Sequence, residues 1–85
     1  MSALLAETLQ GTVTQEMKKL TVERTVVLTI CQLLDSGVTQ FDIPALIRIA
    51  CMKVSFGDMS SDLNLIARIQ DKWNRISNFW TKLNS

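Results

Sequence analysis

Residues 59–83 read MSSDLNLIARIQDKWNRISNFWTKL, and this stretch decides the expected fold. Its large apolar residues recur at alternating steps of three and four, which is the spacing of an amphipathic helix that buries one face. Both tryptophans of the chain belong to this repeat. We call the repeat the C-terminal seam, and its members are Ile66, Ile69, Trp73, Ile76, Trp80 and Leu83.

The composition favours a small domain whose apolar surface is covered by another chain. The 85 residues fit a single domain, taken as 1–85. Hydrophobic residues make up 47% of the chain, and the mean hydropathy is +0.18. A chain of this length has a thin core, so either nearly every helix is buried on two sides or a second chain covers part of the apolar surface. We expect a homodimer or an obligate protein partner.

Two helices are expected before the first strong stop signal. Aliphatic residues at helical spacing predict a first helix over about 3–19, weakened in its middle by Gly11. The alternative is that this helix begins only after Gly11 and that residues 1–11 form a flexible arm. Thr21 is a suitable N-cap for a second helix over about 22–35. Gly37 follows directly, where glycine commonly ends a helix in the left-handed conformation.

Two more helices complete the prediction. Asp42, with a proline two residues later, suits the start of a third helix over 43–54. The C-terminal seam lies on a fourth helix over 60–84, with Ser60 or Ser61 as its cap. The predicted fold is therefore all-α, a small four-helix bundle-like domain in which the C-terminal helix is the longest.

The second helix has an unusual distribution of apolar residues. Residues 25–34 read TVVLTICQLL, whose β-branched content would also suit a strand. The run is longer than a typical strand and has no partner strand elsewhere, so a helix is preferred. Apolar side chains cover most of the circumference of that helix. We expect it to form the centre of the core and to be buried on more than one side.

The residue types present exclude most catalytic chemistry. Histidine is absent, which removes the commonest general base and metal ligand. Cys31 and Cys51 lie in apolar runs without CxxC spacing, so we expect buried, reduced thiols, although a disulfide could join their helices in an oxidising compartment. No glycine-rich phosphate loop or spaced nucleophile–base pair occurs. We expect no enzymatic activity, no metal and no cofactor.

The location follows from the absence of targeting signals. The first turns contain Glu7 and no basic segment that would start a signal peptide. No apolar run reaches the length needed to span a membrane. A soluble, cytoplasmic protein without a membrane partner is expected.

The last three turns of the C-terminal helix form the candidate surface for a partner protein. Tryptophan is enriched at binding hot spots because it buries a large area and keeps one polar group. The alternative is that these residues only fill the groove between the second and third helices. The candidate partner-binding residues are Trp73, Ile76, Phe79, Trp80 and Leu83.

A basic stripe on the same helix offers a second candidate surface. Its members lie within about 80° of one another on a helical wheel. Such a stripe could bind an acidic protein or a phosphate backbone, or it could be an ordinary solvated helix face. The stripe consists of Arg68, Lys72, Arg75 and Lys82.

The third and fourth helices could also form a helix-turn-helix element. The segment that would enter a DNA groove, about 56–64, contains Asp58 and Asp62 and no basic residue. Phosphates would repel these carboxylates. The function expected from the sequence is therefore a small non-enzymatic protein–protein interaction module, such as a regulator, adaptor, inhibitor or chaperone. The alternative is a small nucleic-acid-binding transcriptional regulator.

Overall fold

The structure, a computed structural model, describes the backbone of residues 2–83 and the side chains of residues 14–83. Every regular element within this backbone is helical, so the all-α class is confirmed. The expected four-helix count is wrong, because the ranges 3–19 and 22–35 belong to one continuous helix. The described residues form three helices, α1 (Ser2–Asp35), α2 (Ile43–Val54) and α3 (Leu63–Leu83).

Threonine hydroxyls explain why α1 continues through its predicted break. The Thr21 hydroxyl donates to the carbonyl oxygen of Met17 at 2.9 Å, four residues back, instead of capping a new helix. Thr25 and Thr29 repeat this bond one turn later each, both at 2.8 Å. A hydroxyl satisfied within the helix no longer competes for the backbone, and no proline interrupts the segment. As a result α1, and not the C-terminal helix, is the longest helix of the described residues.

Glycine ends α1 as the sequence indicates. The Val38 N–H donates to the Leu33 carbonyl at 2.9 Å, and the Gly37 N–H donates to the Leu34 carbonyl at 3.0 Å. This is the two-bond Schellman arrangement, and Gly37 takes the positive φ of 89° that it requires. The helix is followed by a short connection to α2, whose N-cap Asp42 accepts from the Ala45 N–H at 3.4 Å.

The start of α3 differs from the prediction. Asp62 is the N-cap, since its carboxylate accepts from the Leu65 N–H at 3.1 Å. Ser60 instead donates its hydroxyl and its N–H to Asp58 in the preceding connection. Helix α3 therefore begins at Leu63 and not at residue 60. The predicted C-terminal residue of this helix, Asn84, lies outside the described residues.

The two connections establish the directions of the helices. Lys18 places its ammonium 5.1 Å from the ring centre of Phe56, just after α2 ends. Lys19 lies 3.5 Å from Asp62, where α3 begins. Helix α2 therefore runs back along α1, and α3 returns beside it in the direction of α1. From Lys18 the α1 backbone continues for about 24 Å to its N-terminal residue, Ser2.

The core lies where the three helices meet. Helix α1 contributes one residue per turn at steps of four, and α2 and α3 close the core from the other sides. Fully burying one such aliphatic side chain contributes about 1.5–3 kcal/mol. The buried apolar residues are Val22, Val26, Ile30, Leu34, Ile43, Ile47, Ala50, Cys51, Met59, Leu65 and Ile69.

The C-terminal half of α1 is covered on one side only within this chain. Its opposite side exposes Leu28 and leaves Val27 and Cys31 half-buried. The expectation that this segment is buried on more than one side therefore does not hold for the single chain. Among the residues described, no helix combines the length and the hydropathy needed to cross a lipid bilayer.

Candidate functional site

The C-terminal seam divides into a part that packs and a part that is exposed. Ile69 is fully buried, and Trp73, Ile76 and Trp80 are half-buried against the core. The ring of Trp73 meets Phe41 edge to face, with ring centres 5.9 Å apart and planes at 89°. These seam residues therefore help to hold α3 against the other two helices.

The exposed part lies in the last turns of α3. Phe79 is 64% exposed and Leu83 is 69% exposed. Phe79 directly precedes the half-buried Trp80. Leu83 follows Ile76 by seven residues, or nearly two helical turns, so Leu83 and Ile76 lie on nearly the same side of α3. We call Phe79 and Leu83, together with the outer edges of Ile76 and Trp80, the α3 tip. It is an apolar surface that continues from the core to solvent.

Trp73 has a buried polar atom without a partner. Its Nε1 is inaccessible to solvent and makes no hydrogen bond to any described residue. An unsatisfied buried donor costs about 1–3 kcal/mol, so this indole contributes through its apolar area and its contact with Phe41. Of the five candidate partner-binding residues, Trp73 has its indole nitrogen buried in the fold. Phe79 and Leu83 have the most exposed side chains.

The basic stripe is largely neutralised inside the chain. Arg68 and Lys72 both pair with the carboxylate of Glu23 on α1. Arg75 pairs with Asp71 of its own helix at 3.0 Å. Lys82 also takes part in an interaction. An anionic partner would have to compete with these carboxylates for the stripe.

Glu23 is the member of this site that the sequence did not reveal. It is 4% exposed, although charged and apolar residues alternate along this part of the sequence. One carboxylate oxygen accepts from the Lys72 ammonium. The other lies 3.3 Å from Arg68 Nη2, close enough for an ion pair but without the alignment of a hydrogen bond. The partners lie far apart in the chain, so no local pattern signals them.

The connection between α2 and α3 does not have the form of a helix-turn-helix turn. It occupies residues 55–62, whereas such motifs use about three or four residues. The Ser60 hydroxyl, followed by its N–H, holds the pKa of Asp58 below its ordinary value. The Leu65 N–H does the same for the pKa of Asp62. Both groups are therefore carboxylates at neutral pH, in the segment that would approach DNA.

A groove beside this connection has mostly apolar walls. Its volume is about 330 Å³, and Arg48 and Asp58 supply the charges at its rim. Cys51, which is buried, forms part of its wall and is a free thiol, as is the half-buried Cys31. Among the described residues, no group of three or more histidine, cysteine, aspartate or glutamate side chains is placed to hold a metal ion.

Comparisons with protein-family models, with curated proteins and with solved structures find no match to this chain.

Proposed function

We propose that this chain is a small, non-enzymatic protein–protein interaction module that binds a partner protein through the α3 tip. The observation that supports the proposal is the exposure of Phe79 and Leu83 at the end of a helix whose preceding seam residues are packed. Large apolar side chains that continue a buried seam into solvent are the usual anchors for an amphipathic helix of a partner.

Phe79 and Leu83 would supply part of the binding free energy, and further contacts with the partner would supply the rest. Burying an exposed phenylalanine or leucine contributes about 1.5–3 kcal/mol each. Trp80 and Ile76 lie behind them and are held by the core, so a partner would meet a pre-ordered surface and lose little side-chain entropy.

The experiment compares two double variants in a capture assay from the native cell. Phe79→Ser with Leu83→Ser removes the α3 tip, and Asn78→Ala with Thr81→Ala changes exposed residues on the other side of the same turns. Trp80 is unsuitable for this test, because truncating a tryptophan that packs on the core costs about 3–5 kcal/mol of folding free energy. Circular dichroism checks that both variants keep the helical content of the parent chain.

The proposal predicts a partner, identified by mass spectrometry, that the wild-type chain and the Asn78→Ala/Thr81→Ala variant retain. The Phe79→Ser/Leu83→Ser variant should lose it. Equal recovery of every protein by all three chains would refute binding through the α3 tip.

A further inference from the structure

The side of α1 that faces away from the core has a seam of its own. Its members recur at steps of three and four, the spacing of a helix that packs against another helix. They lie on the opposite side of α1 from Val22, Val26 and Ile30. We call Met17, Leu20, Arg24, Val27 and Cys31, with the adjacent Leu28, the outer seam of α1.

Three large apolar side chains of the outer seam are more than half exposed. Met17, Leu20 and Leu28 are 62%, 57% and 54% exposed. Beside them is a groove of about 360 Å³ that is lined mainly by apolar atoms and reaches Lys72 of α3. Leu20, Val27 and Leu28 form its α1 wall, so a side chain from another helix has a concavity to enter.

We infer that the outer seam of α1 binds the outer seam of a second copy of this chain, with the two α1 helices antiparallel. The symmetry of a two-fold dimer places the same surface on both subunits, so one exposed seam is sufficient to close it. This inference concerns α1 and does not depend on the α3 tip.

The one charge in the outer seam selects the antiparallel direction. A parallel pair would place Arg24 against Arg24 of the second copy, two like charges in an apolar contact. An antiparallel pair can align Leu20 with Arg24 of the second copy and Met17 with its Val27. Each Arg24 then comes within about one helical turn of Glu16 of the other chain.

Charge complementarity supports this register. Glu16 is 60% exposed and makes only a long contact of 3.8 Å with Lys19 of its own chain, so it can reach a guanidinium across the interface. Arg24 is exposed at the rim of the outer-seam groove. The contact between Glu16 of one copy and Arg24 of the other occurs twice in the dimer. The antiparallel helix dipoles also attract one another.

Sedimentation equilibrium on the full chain at about 50 µM, well above the dissociation constant of a standard interface, tests the inference. The wild-type chain is expected at twice its mass of 9.6 kDa. Leu20→Glu should raise the dissociation constant about 100-fold or more, because it places a carboxylate in each half of the contact. Ile49→Glu is the matched control, since Ile49 is half-exposed on α2, and it should leave the dimer intact.

A charge exchange tests the register without altering the apolar residues. Glu16→Arg alone and Arg24→Glu alone should each raise the dissociation constant about two- to thirtyfold, and the double variant should restore it. A wild-type chain that remains a monomer overturns the inference and leaves the outer seam to a different protein. A dimer that is unaffected by Leu20→Glu, or a charge exchange without restoration, overturns it as well.

Discussion

Lys72 of α3 donates to the carboxylate of Glu23 on α1, a residue that is only 4% exposed. Arg68, one turn before Lys72, approaches the other oxygen at 3.3 Å. The contact holds α3 against α1 at the centre of the bundle. It also removes two positive charges from the basic stripe, so the same pairing that stabilises the fold weakens the nucleic-acid alternative.

The first prediction concerns the asymmetry of this ion pair. Arg68→Ala with Lys72→Ala leaves Glu23 buried without a cation, and we expect a loss of about 3 kcal/mol in the free energy of unfolding. Glu23→Gln should cost only about 1 kcal/mol, because both cations are half-exposed and can be solvated by water. Urea denaturation of the three chains measures the difference. Equal losses would contradict the burial of Glu23.

The second prediction concerns the residue that ends α2. Ser55 has φ of 57° and ψ of 44°, the left-handed region that disfavours side chains with a Cβ atom. Ser55→Gly should therefore raise the free energy of unfolding by about 0.5–1 kcal/mol. Gly37→Ala, at a φ of 89°, is the opposite change and should lower it by at least about 1 kcal/mol. Thermal denaturation that ranks the two variants the other way would contradict the assigned caps.

The third prediction is a pH dependence at Asp62. The Leu65 N–H lowers the pKa of this carboxyl, so its charged form is favoured by folding. The stabilisation is fully present above the ordinary pKa of 3.8 and is lost as the pH falls through the lower value of the folded state. Asp62→Ala should cost about 1 kcal/mol at pH 7 and much less at a pH of about 2. A cost that does not change between these pH values would show that the charge of the cap is unimportant.

The fourth prediction concerns nucleic acid. Each phosphate that a protein neutralises on duplex DNA steepens the salt dependence of binding by about one logarithmic unit. Since Glu23 and Asp71 already pair with three cations of the stripe, we expect no retardation of duplex DNA at about 10 µM protein and moderate salt. Retardation with a steep salt dependence would favour the nucleic-acid alternative.

The parts of the fold that the sequence predicts are those set by local chemistry. The steps of three and four place Ile69, Trp73 and Trp80 on the packed side of α3, as the structure has them. Asp42 begins α2 and Gly37 ends α1 for reasons contained within a few residues. These signals need no knowledge of the partner helix.

The errors have physical causes that are also identifiable. Thr21 suits an N-cap, but a threonine hydroxyl can equally donate to the carbonyl four residues back, as it does in α1, and the sequence does not choose between the two bonds. The pairing of Glu23 with Lys72 spans most of the chain, so helical periodicity cannot indicate it. Apolar residues surround most of the helix over 25–34, but which of them stay exposed depends on the side that α2 and α3 cover, and the sequence does not indicate that side.

The most direct measurement for the proposed function is photo-cross-linking in the native cell, with benzoylphenylalanine in place of Phe79 or, as the control, of Asn78. Both positions are exposed on the same turn of α3, and only Phe79 belongs to the α3 tip. We expect a discrete adduct with another protein from position 79 and none from position 78. No adduct from position 79, or the same adducts from both positions, would contradict binding through the α3 tip.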